Sequence, residues 1–308
     1  MKKNVKTVLK DGAVGVGIGC AVIVPGISGG TIALITGAFK KIVDAVDKLF
    51  TKYFIKNLLI LLPFGIGAVI AIAGLYFPIK LSFEHCMLAI VCLFAGFMAG
   101  SVPSVAEKAK GNKLTPANII GLIAGFALVV AFGLVSIKFN LNSQVETMFV
   151  ENKFYLYLLI FAVGVISSTG LIIPGFSGSM LLMILGFYDK ILLLAEGLFK
   201  DPLISIARLG TFALGVLIGF VLFSKLMKYM FEKHPTTTNC VVLGFLIGSI
   251  IAIYANSQMF EYLGYYEQAS KLNVLDFVLS PIFMIIGFAI SFAIYIYAKK
   301  HPEVNEHA

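Results

Sequence analysis

Eight stretches of this chain contain no Asp, Glu, Lys or Arg: 12–39, 57–79, 87–106, 114–136, 154–188, 209–224, 239–260 and 277–297. Most of them reach or exceed the roughly 20 residues that carry a helix across the hydrocarbon core of a bilayer. Apolar residues fill 59% of the 308 positions and charged residues only 13%, which excludes an ordinary water-soluble core. The class that fits is an all-α polytopic membrane protein. Lys2, Lys3, Lys6 and Lys10 precede the first apolar run in the manner of a signal peptide. That run continues to Phe39 without a convincing small-x-small cleavage site, so the segment is expected to stay attached.

The formal net charge of +8 invites a nucleic-acid reading, but the lysines are scattered between apolar segments and Arg208 is the single arginine. Loop lysines facing the cytoplasm and anionic headgroups account for the charge, and no nucleic-acid partner is expected. Cys20, Cys86, Cys92 and Cys240 fall in or beside apolar stretches without metal-ligand spacing. They read as free thiols; no metal and no cofactor is expected.

The chain repeats itself. Residues 21–42, which contain Val24-Pro-Gly-Ile-Ser-Gly-Gly-Thr31, align without a gap on residues 170–191, which contain Ile173-Pro-Gly-Phe-Ser-Gly-Ser179. Pro25, Gly26, Ser28, Gly29, Gly37 and Lys41 fall on Pro174, Gly175, Ser177, Gly178, Gly186 and Lys190. Further on, the segment 95–101 resembles 243–249. The halves are therefore placed at 1–150 and 151–308, joined by the polar stretch 140–153. After each Pro-Gly segment come three expected spans, near 54–77, 86–104 and 116–137 and near 205–225, 239–258 and 276–298.

If 12–39 crossed the bilayer, the N-terminal lysines and the cluster Lys40, Lys41, Lys48, Lys52 and Lys56 would lie on opposite faces. A re-entrant hairpin returns both to the cytoplasm, as the positive-inside bias requires. One hairpin plus three spans per half turns the second half upside down. The expected fold is thus two inverted-topology repeats, each a re-entrant Pro-Gly-broken helical hairpin plus three transmembrane helices, with both termini cytoplasmic.

Proline removes a helical donor, and the Gly and Ser after it permit backbone angles that a helix interior forbids. Such backbone is tolerated in a membrane where it is buried in protein or lines an aqueous cavity. Backbone N–H groups at a Ser-Gly turn leading into a helix suit an anion, especially a phosphate. The candidate substrate-binding residues are Pro25, Gly26, Ser28, Gly29, Gly30 and Thr31 in the first half and Pro174, Gly175, Ser177, Gly178 and Ser179 in the second. Arg208 is the candidate cationic partner, with Lys41 and Lys190 next. Rival readings stand beside these: a simple helix kink for Pro-Gly, a headgroup anchor for Arg208, and interfacial anchors for the two lysines. Glu84-His85 and Glu232-Lys-His234 read as solvated loop residues, with proton coupling as the rival reading. The Gly-x3-Gly spacings at Gly96, Gly121 and Gly244 read as helix packing, and Gly15-x-Gly17-x-Gly19 is rejected as a nucleotide loop because no strand precedes it.

On these residues the sequence resembles the bacterial polyprenyl-phosphate transporter family, through the two motifs just quoted together with Gly37 and Gly186-Phe-Tyr188. The resemblance covers nearly the whole chain. It implies a transporter in the bacterial cytoplasmic membrane that returns undecaprenyl phosphate, or a related polyprenyl phosphate, from the outer to the cytoplasmic leaflet for reuse in wall-polymer synthesis. The spacing by itself reaches only a duplicated anion site, so a transporter or channel for a small soluble anion is the alternative. A proton or sodium ion is a candidate coupling partner, and membrane lipids are the surroundings. No His/Asp/Glu cluster within the apolar stretches supplies a nucleophile and base, so an enzyme is not expected.

Overall fold

Length separates the helices into two kinds. In chain order they are α1 (Val5–Ile23), α2 (Gly29–Ile35), α3 (Phe39–Asp47), α4 (Phe54–His85), α5 (Met87–Ala109), α6 (Pro116–Lys138), α7 (Leu141–Glu151), α8 (Phe154–Ser167), α9 (Thr169–Ile172), α10 (Gly178–Ile184), α11 (Tyr188–Lys200), α12 (Pro202–Lys233), α13 (Pro235–Ala252), a turn of helix α14 at 259–264, and α15 (Val274–Lys300). This computed structural model describes residues 5–25, 29–48, 52–110, 115–151, 153–172, 178–255, 259–264 and 274–300. Among the described residues six helices, α4, α5, α6, α12, α13 and α15, are long and apolar enough to cross a bilayer. Helix α1 is of similar length but carries Lys6, Lys10 and Asp11, and the others are shorter.

Helices α5, α6, α13 and α15 form the centre, and glycine sets how closely they approach. Gly96 and Gly100 of α5 lie against the α15 backbone at Met284 and Phe288, while Gly287 of α15 lies against Leu93. A second seam has the same register: Gly244 and Gly248 of α13 lie against Leu122 and Phe126 of α6, and Gly125 lies against Val241. A methyl group at these glycines would press into a facing carbonyl oxygen, so the small-residue spacing does serve packing. Contacts advance in the same direction along both members of each seam, which makes α5 parallel to α15 and α6 parallel to α13. Helices α5 and α13 run antiparallel, because Cys240 lies at the Ala109 carbonyl (3.8 Å) and Tyr254 at the Cys92 sulfur (3.3 Å).

Two lobes flank this centre. In one, Gly15 and Gly19 of α1 rest on Phe64 and Ala68 of α4; in the other, Gly164 of α8 rests on Phe212 of α12 and Gly219 of α12 on Val165. The glycines of the rejected nucleotide motif are thus packing residues. Each of these pairs also runs parallel, which requires the chain between its members to turn back. The short helices do this: Gly29 of α2 sits beside Ile18 and Val22 of α1 with Ile32 beside Gly17, and Gly178 of α10 sits against Ser167 of α8. After each break the described chain thus resumes in a short helix packed against the helix that precedes the break.

Outward-facing Leu59, Ile66 and Ile70 of α4 and Leu214, Leu217 and Val221 of α12 leave a broad apolar belt, as lipid contact demands. Asp276 shows how a polar group inside is matched. The buried Asp276 carboxylate of α15 accepts from the backbone N–H of Leu88 (3.0 Å) and Ala89 (2.7 Å) and from the Tyr262 hydroxyl (2.5 Å). It thereby caps the first turn of α5 from another helix.

Some boundaries differ from the sequence reading. Helices α4 and α12 run on to His85 and Lys233, past the lysines at which the apolar runs stop, since lysine stems extend along apolar surface. Helix α13 ends earlier, at Ala252. The polar stretch between the halves contains the helix α7.

Candidate functional site

The first hairpin takes its shape from Pro25. The last helical bond of α1 runs from the Val24 N–H to the Cys20 carbonyl at 3.0 Å. Pro25 is buried and has no N–H to offer Ala21, which stops the α1 ladder. The carbonyl of the last α1 residue, Ile23, is met from far along the chain: the Tyr188 hydroxyl donates to it at 2.7 Å. Tyr188 is itself buried, and burial pushes its phenol far above the usual range, so it keeps its proton.

The returning arms end alike. The Ala38 N–H bonds the Ala33 carbonyl and the Phe187 N–H bonds the Leu182 carbonyl, both at 2.8 Å. This six-residue closure places Gly37 at φ 69° and Gly186 at φ 76°, a left-handed conformation that favours glycine. The two aligned glycines thus have a shared physical cause. The bends themselves differ in tightness: a Cβ on Gly29 would stand 3.3 Å from the Ile18 side chain, whereas one on Gly178 would overlap the Ser167 carbonyl.

Of the sequence-derived site residues, Gly29, Gly30, Gly178 and the buried Ser179 begin the returning arms α2 and α10. Pro25 closes α1. Gly26, Ser28, Pro174, Gly175 and Ser177 lie outside the described residues, as does the side chain of Thr31. The two hairpins touch each other, α1 against α10 and α2 against α9, so the elements that carry both motifs are brought together.

Arg208 is placed elsewhere than the second bend. Its Nη2 donates to the Phe149 carbonyl at 2.7 Å, and its guanidinium lies 5.0 Å from the Phe149 ring centre, tying α12 to α7. Gly219 is the α12 residue level with the end of α8. Arg208 precedes it by eleven positions, about 16 Å along the helix axis. Its neighbourhood connects to the first hairpin instead: the Phe149 ring is 6.2 Å from the Phe187 ring, and the next residue is Tyr188.

The two aligned lysines sit at the bases of the hairpins. Lys41 pairs with the buried Asp11 carboxylate at 2.5 Å and lies 5.4 Å from the centre of the Phe64 ring. Lys190 pairs with Asp189 at 2.9 Å and with Glu146 at 3.5 Å. Burial opposes the Lys190 charge, but Asp189 and Glu146 outweigh it and hold the ammonium above the usual lysine range. His85 and His234 are exposed at the ends of α4 and α12, as the sequence reading expected.

Sequence reasoning did not single out Asp11, Phe149 or Asp276, and it met Tyr188 only within the Gly186-Phe-Tyr188 resemblance. Asp11 carried a faint signal as the lone acidic residue after a run of lysines, and Tyr188 as the hydroxyl-bearing partner of Phe39 in the aligned repeat. Asp276 had none, since the helix it caps lies far away in the chain.

A family model described as VCA0040-like, undecaprenyl phosphate translocase-like, matches residues 18–270. The chain is 26% identical over 281 residues to the polyprenyl-phosphate transporter of Staphylococcus aureus, covering 90% of this chain and 92% of that one. It is also 26% identical over 254 residues to the polyprenyl-phosphate transporter of Vibrio cholerae, covering 78% of this chain and 75% of that one. No solved structure matches. These names describe transporters and not enzymes, and with most of its length matched and six helices able to span a bilayer, the chain belongs to the VCA0040-like, undecaprenyl phosphate translocase-like family.

Proposed function

We propose that this protein moves undecaprenyl phosphate, or a closely related polyprenyl phosphate, from the outer to the cytoplasmic leaflet of the bacterial plasma membrane, returning the carrier lipid for another round of wall-polymer synthesis. The names of its relatives support the substrate class. The observation that carries the mechanism is that two hairpins with matching Pro-Gly-x-Ser-Gly motifs come from different halves and touch. In this reading the charged headgroup is held between them by Pro25 through Thr31 and Pro174 through Ser179, while the prenyl tail stays in lipid. Arg208 adds positive potential on the α7 side. The headgroup is the barrier to be lowered, since charge in hydrocarbon is far more costly than a tail that is already apolar.

The halves 1–150 and 151–308 are read as inverted repeats and the hairpins as re-entrant. The antiparallel course of α5 and α13, which occupy the same place in each half, supports the inversion, as do the two seams of identical register. Both termini are assigned to the cytoplasm from the lysine distribution. Because each central seam joins helices of different halves, access alternates by motion of the hairpin lobes against the central four helices, biased by a proton or sodium gradient.

The test is transfer of undecaprenyl phosphate between leaflets of proteoliposomes, read by an external phosphatase. Transfer by the unaltered protein, lost in Ser28→Leu and Ser177→Leu variants that remain folded, is the expected result. Flux of inorganic phosphate in vesicles without prenyl lipid, with no lipid transfer, would replace this reading by a small-anion transporter.

A further inference from the structure

We infer that Tyr188 is a positioning residue for the first hairpin: its hydroxyl, donated from the second half of the chain, fixes the end of α1 immediately before Pro25. The inference rests on the hairpin reading above and deepens it. Three observations carry it. The bond to the Ile23 carbonyl is 2.7 Å long and fully buried, and it joins residues 165 positions apart. The acceptor is the carbonyl of the last residue of α1, two positions before Pro25, where a helix has no further turn of its own to supply a donor. The ring has little freedom to move away, because Phe83 of α4 packs against it at 5.7 Å and Phe94 of α5 backs Phe83 at 6.4 Å.

The arrangement is one-sided. The residue aligned with Tyr188 in the first half is Phe39, which has the ring without the hydroxyl. The first hairpin is therefore tied to the base of the second, and Phe39 cannot return the bond. A hydroxyl that holds the end of α1 on one side only orients Ile23 and Pro25 relative to Phe187 and the Arg208–Phe149 pair. It sets where a lipid phosphate meets the first motif.

Tyr188→Phe removes the hydroxyl and keeps the ring. Phe94→Leu is the comparison variant, since it loosens the same aromatic packing without touching the bond. In lipid nanodiscs, amide exchange of peptides covering the end of α1 is expected to quicken about 3- to 10-fold in Tyr188→Phe and to stay near the original rate in Phe94→Leu. In proteoliposomes, the half-saturating concentration of undecaprenyl phosphate is expected to rise by a similar factor in Tyr188→Phe alone, with the maximal rate changed less.

Unchanged exchange in Tyr188→Phe would overturn the inference. So would faster exchange with an unchanged half-saturating concentration, because the tie would then be structural only. Absence of lipid transfer by the unaltered protein would instead sink the substrate reading. The exchange comparison alone would then uphold or overturn the tie.

Discussion

At the scale of single residues, the buried charges mostly hold helices together. Arg208 has a backbone carbonyl and an aromatic face as partners, a geometry that the planar guanidinium meets and an ammonium does not. Arg208→Lys is accordingly expected to lose about 1–2 kcal/mol of stability, read as a lower unfolding temperature in detergent. Asp276→Asn keeps the shape but gives up the charge that receives two N–H groups and a hydroxyl, and should cost about 1–3 kcal/mol by the same measurement. Gly178 shows how structure changes the meaning of a mutation. A larger residue there would strike the Ser167 carbonyl, so its failure would report packing and not headgroup binding; Ser28 and Ser177 are the cleaner probes. Lys190 is expected to be silent toward pH. Its folded-state value is raised, so the stability that it contributes is fully present below the unfolded value and lost only as pH climbs through the folded one. The unfolded value is the lysine reference near 10.4 and the folded one lies above it, so Lys190→Gln should leave the shape of the transport–pH profile unchanged from about pH 6 to about pH 9.

Among elements, the spans were legible because absence of charge over some 20 residues points to hydrocarbon, and the breaks between helices because Pro-Gly-x-Ser-Gly occurs twice. The Gly37 and Gly186 match was visible as a repeat, but its cause, a left-handed closure at each returning arm, needed coordinates. The ends of α4 and α12 were misjudged, since lysine marks the end of an apolar run and not the end of a helix. Partner choice was the least legible. Gly96-x3-Gly100 announced a close approach without saying that α15 is what approaches. The seam predicts its own sensitivity: Gly96→Ala and Gly244→Ala should each destabilise by about 1–3 kcal/mol through backbone overlap, measurable as a lower unfolding temperature, whereas Gly65→Ala and Gly74→Ala, with open space at the Cβ position, should not.

For the whole molecule, topology is the decisive quantity. Single cysteines at Asp44 of α3 and Lys200 of α11, both exposed, are expected to react with an impermeant thiol reagent from opposite sides of the membrane. Labelling from one side only would refute the inverted arrangement. The sequence disclosed two related halves, but it did not disclose that they are threaded through one another, because contacts between α5 and α15 or α6 and α13 leave no mark in local periodicity. That threading has a consequence for synthesis. The surface of α5 that Gly287 will fill is made long before Gly287 exists; at about 5–20 residues per second, translation of the intervening chain takes roughly ten to forty seconds. During that interval a newly inserted α5 carries an open glycine groove with nothing of its own chain to close it. The nascent protein must wait, half-assembled, for its last helix.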